Sequence, residues 1–333
     1  MKRYVLLSGG VGGAKFALGL SRVLDPAQLT VIANTGDDFR HLGLAISPDL
    51  DTLMYTLAGV VDGETGWGRR DESWNCLAAL GELGGEAWFR LGDRDLATHL
   101  LRTQWLAAGD SLTAVTRQLC ARLGVAVNLM PMSDASIRTI LDTDAGTLEF
   151  QDYFVRRRAE PRVSAIRYAG ATEAPPAAAL ASLLTDPELA AIFIAPSNPW
   201  LSIDPMLAIP SLKAALRSTA APVIAISPVV GGRALKGPTA KLMAELGLPV
   251  TAGTVARHYG NLLDGYILDH IDGNEATALV DAGLAVAVAH TVMDSLEDRI
   301  QLAEFALGFA ERGFAEQGVS EQAFIAPDPA GGG

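Results

Sequence analysis

Four aspartates crowd a short, acidic stretch of the chain. Residues 34–52 read NTGDDFRHLGLAISPDLDT and contain Asp37, Asp38, Asp49 and Asp51. Carboxylates this close in sequence repel one another unless a cation or a proton lies among them, and an oxygen-only cluster suits a hard cation such as Mg²⁺. The stretch therefore predicts a magnesium site. The alternative is a solvated loop whose aspartates cap turns and helix starts.

A glycine-rich turn, SGGVGGAK, occupies residues 8–15. It lies between the aliphatic run Tyr4–Leu7, which predicts a strand, and the helical pattern Phe16–Leu24. A turn of this kind between a strand and a helix directs free backbone N–H groups at a phosphate. It is not a Walker A loop, and Lys15 stands where a dinucleotide fingerprint has its third glycine. A tight turn that binds no ligand is the alternative.

Two later strands also end in polar or glycine-rich residues. The apolar run Ala190–Ala195 is followed by Ser197 and Asn198 between two prolines, and Pro222–Ser227 is followed by a glycine pair and Lys236. In open α/β sheets the ligand binds outside the carboxyl ends of the strands. We therefore expect Ser197 and Asn198 to contact a base or a phosphate and Lys236 to contact a phosphate, with ordinary polar turns as the alternative.

Arginines, glycines and aromatic residues alternate in two further segments. Residues 66–72 read GWGRRDE and residues 90–95 read RLGDRD. Arginines in such surroundings bind anions or stack on flat rings. The alternative, slightly favoured for these segments taken alone, is a surface turn at a helix start in which Asp93 or Asp95 is the cap.

The order of the predicted elements gives the fold class. Strands alternate with helices, which predicts an α/β protein with a doubly wound, mostly parallel Rossmann-like sheet. Residues 1–52 and 125–326 form this nucleotide-binding core, residues 53–124 a helical insertion, and residues 327–333 a disordered tail. A β-hairpin is expected from residues 137–143 and 147–155. The predicted strands of the core are Tyr4–Leu7, Leu29–Ala33, Val125–Met130, Val163–Tyr168, Ala190–Ala195, Pro222–Ser227, Gly265–Asp269 and Leu284–Ala289.

Composition excludes several classes of partner. The 333 residues are 49% hydrophobic and 19% charged, with a formal net charge of −12. Duplex nucleic acid is a poor partner for an acidic chain, and no apolar stretch is long enough to span a membrane. The first apolar run is too short for a signal peptide. Cys76 and Cys120 have no metal-binding spacing and predict two buried, reduced thiols in a cytoplasmic protein.

Taken together, the residues indicate a phosphate-rich nucleotide held beside a magnesium centre, which suits phosphoryl or nucleotidyl transfer. The second strand ends in Asn34 and Thr35 instead of the acid that binds ribose in nicotinamide dehydrogenases. We therefore disfavour a nicotinamide oxidoreductase. His41, His99 and His258 are scattered along the chain, and we expect each of them to be structural.

The motifs also resemble a known family. In the same order along nearly the whole chain, they are similar to those of the 2-phospho-L-lactate transferase family, whose bacterial members are also described as phosphoenolpyruvate transferases. The motifs are GGVGGAK (9–15), NTGDD (34–38), SPDLDT (47–52), GWGRRDE (66–72), LGDRDLATHL (91–100), PMSD (131–134), SNP (197–199), and SPVVGG (227–232) followed by LKGP (235–238).

The resemblance implies a step in the biosynthesis of coenzyme F-420. The implied acceptor is Fo, 7,8-didemethyl-8-hydroxy-5-deazariboflavin, and the implied donor is the guanosine diphospho adduct of a three-carbon acid. The acid can be 2-phospho-L-lactate, phosphoenolpyruvate or 3-phosphoglycerate, and the sequence leaves this choice open. A terminal ribityl hydroxyl attacks the phosphorus that carries the acid, and GMP leaves. The resemblance also implies a requirement for Mg²⁺ and a homodimer.

Individual roles follow from the same resemblance. Asp51 falls where the family contacts Fo, and we assign it the role of general base as well. The other assignments are Arg90 and Arg94 for Fo; Asp37 and Asp49, with Asp38 in reserve, for the metal; Gly10, Gly12, Gly13, Lys15 and Lys236 for the donor phosphates; and Ser197, Asn198, Gly231 and Gly232 for the guanosine end.

A different class of protein remains as an alternative. A related family of regulatory proteins binds nucleotide sugars without known catalysis and shares the glycine-rich first turn and the acidic loop. The second half of the aspartate stretch, SPDLDT, and the motif LGDRD favour the transferases.

Overall fold

A computed structural model describes residues 1–234, 237–312 and 324–325 of the chain. Lys236 and the predicted tail, residues 327–333, lie outside the described residues. The strands of the described part are β1 Arg3–Ser8, β2 Leu29–Ala33, β3 Phe39–His41, β4 Leu44–Ile46, β5 Asn128–Pro131, β6 Arg138–Thr143, β7 Gly146–Glu149, β8 Val163–Ala169, β9 Leu189–Ile194, β10 Val223–Ile226, β11 Val229–Val230, β12 Arg233–Ala234, β13 Gly265–Asp269, β14 Ala285–Ala289 and β15 Phe324–Ile325.

Helices connect these strands and cover the main sheet. They are α1 Gly10–Val23, α2 Pro48–Leu57, α3 Asn75–Glu82, α4 Asp93–Ala107, α5 Leu112–Arg122, α6 Ala179–Leu184, α7 Asp204–Leu207, α8 Pro210–Ser218, α9 Thr239–Glu245, α10 Ala252–Tyr259, α11 Ala276–Asp281 and α12 Leu296–Arg312. In the described part of the chain, no helix is long and apolar enough to cross a membrane.

The main sheet is parallel throughout. Its strand order is β15-β14-β13-β10-β9-β1-β2-β5, and every neighbouring pair is parallel. Leu7 of β1 lies opposite Ile32 of β2 on one side and Ile194 of β9 on the other. The chain reverses its direction of travel across the sheet between β1 and β9, and a crevice at the carboxyl ends of these strands is the usual ligand site of such a sheet. The predicted doubly wound α/β fold is confirmed.

The side chains of β1 alternate between two hydrophobic layers. Tyr4 and Leu6 pack into the layer that contains α1, α2 and α12, and Val5 and Leu7 pack into the layer on the other face. A strand buried on both faces reads as a continuous apolar run, which is why β1, β2 and β9 were recognisable in the sequence.

The helical segment between β4 and β5 begins earlier than the predicted insertion. Its first helix, α2, starts at Pro48 and packs against α1, so that Asp49 and Asp51 lie in its first turn. The segment ends with α5, which packs against β5 at the edge of the main sheet. The whole segment is therefore the connection from β2 to β5, and α3 within it contributes no buried residue.

A second, antiparallel sheet has the order β7-β6-β8. The predicted hairpin is correct for β6 and the start of β7. Its second strand was predicted too long, because β7 ends at Glu149 and residues Asp152–Arg156 form a helical turn that buries Tyr153. The predicted strand at 163–168 becomes β8, which pairs with β6 in this sheet and takes no part in the main one.

Three further expectations need correction. Helix α1 begins at Gly10 and not at Phe16, so the glycines form its first turn. Cys120 is buried but Cys76 is exposed, contrary to the prediction of two buried thiols. The main sheet also gains β15 after the last predicted strand.

Candidate active site

The four aspartates converge because the chain folds back on itself. Asp37 and Asp38 follow β2, the β3–β4 hairpin then reverses the chain, and Asp49 and Asp51 lie in the first turn of α2. Ser47, just before α2, donates a hydrogen bond of 2.7 Å to Asp38 and so links the segment after β2 to the start of α2. Acidic residues are favourable in the first turn of a helix. The stretch is thus a hairpin and a helix start, and not the solvated loop of the alternative.

Asn34 ties the acidic residues together. Its side-chain amide donates to Asp49 at 2.9 Å and to Asp37 at 3.3 Å, and its side-chain oxygen accepts from the Gly36 backbone at 2.8 Å. The other oxygen of Asp49 accepts from the Gly10 backbone N–H at 2.7 Å. The glycine turn of β1 and the acidic cluster therefore form one connected site.

Burial perturbs the protonation of this cluster. Desolvation, followed by the nearby Asp49 carboxylate, raises the pKa of Asp37 well above its ordinary value. Desolvation likewise raises the pKa of Asp38, against the opposing effects of Ser47 and Arg102. The pKa of Asp49 is raised to about 6 by burial, although Asn34 and Gly10 stabilise its charged form. A group of acids held this way gains from a cation or a proton among them.

The donor set fits Mg²⁺ bound together with a substrate. Among the described residues, no group of three or more histidine, cysteine, aspartate or glutamate side chains is arranged to hold a metal by itself. Mg²⁺ commonly takes only one or two carboxylates and completes its shell with phosphates and water. One buried oxygen of Asp38, Oδ1, has no hydrogen-bond partner within the protein, which is what an oxygen kept for a further ligand would show.

Asp51 has a different partner from the other three acids. Both of its oxygens accept hydrogen bonds from the guanidinium of Arg102, at 2.9 Å for the Nη1–Oδ2 pair and in a short contact for the Nη2–Oδ1 pair. Nη1 of Arg102 also lies 3.1 Å from Nδ1 of His99. On the far side of that ring, Nε2 lies 3.2 Å from Asp95, which accepts a 2.7 Å hydrogen bond from the Tyr55 hydroxyl.

The glycines of the first turn allow neighbouring elements to approach closely. A Cβ on Gly12 would lie 2.5 Å from the Pro196 carbonyl oxygen, and one on Gly13 would lie 2.3 Å from the Ser8 hydroxyl oxygen. The N-cap residue Gly9 has no side chain to cap α1, and the Gly10 N–H donates to Asp49; the backbone N–H groups that follow at this helix start suit an anion. Lys15 lies one turn further on, and its ammonium donates to the Met293 carbonyl oxygen at 2.5 Å.

Unpartnered polar atoms line the same crevice. Ser197 itself is engaged, since its hydroxyl donates to the Gly9 carbonyl oxygen at 2.6 Å. The side-chain oxygen of Asn198 accepts from the Trp200 and Leu201 backbones. Among the buried atoms without a hydrogen-bond partner in the described part of the protein are the hydroxyls of Ser8 and Thr35, Oδ1 of Asp38 and the amide nitrogen of Asn198.

The second glycine pair forms a hairpin turn. Gly231 and Gly232 join β11 to β12 with φ of +57° and +71°, the left-handed conformation that two-residue hairpin turns require. The Gly231 N–H donates to both carboxylate oxygens of Asp272, at 3.1 and 3.0 Å. This turn follows β10, two strands away from β1 in the main sheet.

The two arginine segments cap each other's helices. Asp93, the first residue of α4, accepts hydrogen bonds from the Ser73 hydroxyl and from the backbones at the start of α3, while Glu72 accepts from the Arg94 and Asp95 backbones at the start of α4. Asp93 therefore caps a helix start, as the surface-turn alternative expected, but it is the start of α3 and not of α4, which Asp93 itself begins. Arg90 and Arg94 are both exposed, and the Arg90 guanidinium lies 4.4 Å from the centre of the Trp74 ring.

A cavity of about 630 Å³ lies near the amino-terminal ends of the strands, away from the carboxyl ends where the polar residues gather. It is lined by the starts of β2 and β5 and by residues of α5 and α6, and none of the predicted site residues lines it. Because the polar residues gather at the carboxyl ends of the strands, we place the candidate active site there and not in this cavity.

Several residues of the site were not predicted. Asn34, Ser47 and Arg102 each donate to an aspartate of the acidic cluster, and Tyr55 donates to Asp95 beside His99. A signal for Arg102 existed, since Asp95, His99 and Arg102 recur at i, i+4 and i+7 and therefore share one face of α4. The signal was missed because a polar stripe at helical spacing is also typical of a solvated face.

Comparison with known proteins defines the class. The fold is shared with a crystal structure of a member of the upf0052 family from Bacillus halodurans, at 14% identity and a TM-score of 0.61 over 92% of this chain and 99% of that one. The chain belongs to the 2-phospho-L-lactate transferase CofD family, whose model matches residues 4–297. It is therefore a member of a family of transferase enzymes.

Individual relatives agree over nearly their whole length. The chain is 41% identical over 315 residues to a phosphoenolpyruvate transferase of Streptomyces griseus subsp. griseus, with 93% of this chain and 98% of that protein covered. It is 42% identical over 317 residues to a phosphoenolpyruvate transferase of Kitasatospora aureofaciens, with the same coverage.

Proposed function

We propose that this protein transfers a phospho-acid from its guanosine diphospho adduct to the ribityl hydroxyl of Fo and releases GMP, as a step in coenzyme F-420 biosynthesis. Phosphoenolpyruvate is the acid we favour, because the relatives above carry that name. The observation that supports the proposal best is structural. Buried polar atoms without partners lie at the ends of β1, β2 and β9, around the glycine turn and the acidic cluster, where a nucleotide would satisfy them.

The proposed reaction is a displacement at phosphorus. The terminal ribityl oxygen of Fo forms a bond to the phosphorus that carries the acid, the bond from that phosphorus to the bridging oxygen breaks, and GMP leaves with that oxygen. Asp51 accepts the hydroxyl proton. The start of α1, with Gly10, Gly12, Gly13 and Lys15, and Lys236 bind the phosphates. Bound Mg²⁺ would neutralise phosphate charge during the transfer.

The remaining roles orient the two substrates. Asp37 and Asp49, with Asp38 in reserve, would hold the metal beside the phosphates. We assign Arg90 and Arg94 to the flat Fo ring, since a guanidinium already stacks on an aromatic face at Trp74. The guanosine end is assigned to Ser197, Asn198, Gly231 and Gly232. We propose a cytoplasmic homodimer as well, and sedimentation of the purified protein at twice the monomer mass would support this assembly.

The test is an assay of purified protein with Fo, Mg²⁺ and each of the three guanylated acids in turn, with the product masses measured. We expect a phosphodiester-linked Fo product together with GMP, formed fastest from the phosphoenolpyruvate adduct. No product from any of the donors, despite tight binding of guanine nucleotides, would contradict the transferase and favour a nucleotide-binding regulatory protein.

A further inference from the structure

Arg102 is a buried cation that the roles assigned above do not use. Only 1% of its surface is exposed, and its guanidinium forms a two-pronged pair with the Asp51 carboxylate. Arg102 lies on α4 and Asp51 on α2, so the pair joins two helices of the β2–β5 connection. A buried ion pair rarely contributes more stability than apolar residues of the same volume would. Stability alone therefore does not explain this pair.

His99 fixes the plane of that guanidinium. A guanidinium has only donors, so Nδ1 of His99, 3.1 Å from Nη1 of Arg102, must be the acceptor. The ring proton is then on Nε2, which faces the Asp95 carboxylate at 3.2 Å. His99 is 1% exposed. This buried ring therefore contacts the same Nη1 that donates to Asp51.

The pair leaves part of the Asp51 carboxylate for a substrate. A carboxylate has about four lone-pair positions. The bidentate pair with Arg102 occupies one position on each oxygen. Asp51 remains 5% exposed. A hydroxyl or N–H group of the acceptor substrate can reach the carboxylate through this small opening. Because Arg102 already fixes the direction of the carboxylate, less entropy is lost in ordering the carboxylate when the substrate binds.

We propose that Arg102 is a positioning residue for transfer and that His99 positions Arg102 in turn. Arg102 aims the Asp51 carboxylate at the acceptor hydroxyl, and neither Arg102 nor His99 touches the substrate. This inference rests on the proposed function, because it needs Asp51 at the acceptor site.

The first experiment compares Arg102→Gln and Arg102→Lys with the matched control Arg167→Gln. Arg167 makes the same two-pronged pair with Asp142 on the exposed face of β8. Steady-state kinetics are measured well below each variant's melting temperature. We expect kcat to fall about 100-fold for Arg102→Gln and about tenfold for Arg102→Lys, with KM for the guanylated donor unchanged and the control like wild type.

A binding measurement covers the case in which Arg102→Gln alone fails to fold. The double variant Asp51→Asn/Arg102→Gln removes both charges and avoids a buried, uncompensated one. Titration of Fo fluorescence should show an affinity loss of about tenfold for Asp51→Asn, and the same loss for the double variant, because Arg102 acts through Asp51. A loss in the double variant clearly larger than the loss in Asp51→Asn would contradict the inference, because it would show that Arg102 acts on Fo binding by a route other than Asp51.

The third pair of variants separates the two nitrogens of His99. In His99→Asn the side-chain oxygen can replace Nδ1 as the acceptor for Arg102, whereas His99→Gln reaches toward the position of Nε2. We expect His99→Asn to retain at least tenfold more kcat than His99→Gln. Equal kcat values, or Arg102 variants that melt lower but turn over like wild type, would show a purely structural role. Absence of transfer by the wild-type protein would instead contradict the proposed function itself.

Discussion

Asp49 and Asp51 lie in one buried cluster but accept hydrogen bonds from different kinds of donor. Asp49 accepts hydrogen bonds from neutral donors only, the Asn34 amide and the Gly10 backbone, and burial raises its pKa to about 6. Asp51, two residues further along α2, faces the Arg102 cation. The first arrangement favours a group that exchanges a proton for a metal ion, and the second fixes the direction of the carboxylate.

Asp51→Asn tests the residue that we assign to proton transfer. The amide keeps the size of the side chain but cannot take the hydroxyl proton, so we expect kcat to fall by at least about 100-fold. Circular dichroism should show a folded protein with a lower melting temperature, because Arg102 loses its partner carboxylate, so kcat is measured well below that temperature. Asp62→Asn is the control, since Asp62 only stabilises an exposed turn through the Thr65 backbone and hydroxyl. Turnover retained by Asp51→Asn would remove Asp51 from the chemistry.

The raised pKa of Asp49 predicts a pH dependence of stability in metal-free protein. Its pKa is higher in the folded state, at about 6, than in the unfolded chain. Its contribution to the free energy of unfolding is therefore complete below about pH 4 and is lost as the pH rises through about 6. Urea denaturation at a series of pH values should show wild type losing stability relative to Asp49→Asn over this range.

Added Mg²⁺ should reverse that trend. A metal competes with the proton for the same carboxylates, so the increase in melting temperature caused by Mg²⁺ should be larger at pH 7.5 than at pH 5. An Mg²⁺ effect that is equal at both values, or absent with guanosine nucleotide present, would contradict the metal assignment to Asp37 and Asp49.

Among the elements, the start of α1 depends on the absence of side chains. The sequence pattern suggested a helix from Phe16, because glycine is a poor helix former in the interior. In the structure the glycines form the first helical turn, since the turn after β9 packs directly on it and leaves no room for a Cβ at Gly12 or Gly13. Packing between elements thus outweighs the local helix propensity.

Gly12→Ala tests this packing. Its Cβ would meet the Pro196 carbonyl oxygen at 2.5 Å, so we expect a loss of about 1–3 kcal/mol in the free energy of unfolding and weaker binding of guanosine nucleotides. Gly81→Ala in α3 is the matched control, because its Cβ meets nothing within 4 Å. That change should be neutral or stabilising by about 1 kcal/mol. Identical effects of the two substitutions would refute the steric argument.

The reciprocal caps of α3 and α4 predict how the arginine segments are held. Asp93→Ala removes the acceptor for the start of α3 and should destabilise the start of this helix. Hydrogen exchange of the α3 amides should become faster by about five- to tenfold, while exchange in β1 stays the same. Glu64→Ala, in the exposed turn before α3, is the control. Unchanged exchange in α3 would show that other contacts hold this helix.

At the scale of the whole molecule, the parallel sheet decides which loops meet. The glycine turn follows β1, the acidic stretch follows β2, and Ser197 and Asn198 follow β9, and these three strands are neighbours in the sheet. We propose that the crevice at this reversal of strand order binds the guanosine nucleotide, and Asn34 stands where a nicotinamide site needs an acid.

Melting temperatures measured with different ligands test whether the protein prefers a guanosine nucleotide to a nicotinamide dinucleotide. GDP with Mg²⁺ at a hundred times its dissociation constant should stabilise the fold by about 2.7 kcal/mol, which corresponds to a few degrees. Saturating NADH should produce no shift. A shift with NADH as large as that with GDP would point back to a dinucleotide-binding protein.

The sequence by itself determined the class of sheet, the polar strand ends and the acidic stretch. Those features are local, since they depend on apolar runs, on glycine placement and on the order of residues along the chain. Only the tertiary structure decided that Asp51 pairs with Arg102, 51 positions away, and that Asp49, held by Asn34, accepts a hydrogen bond from Gly10 of the glycine turn. Contacts between distant segments depend on how helices pack on the sheet, and a single sequence carries no direct record of which helix face meets which.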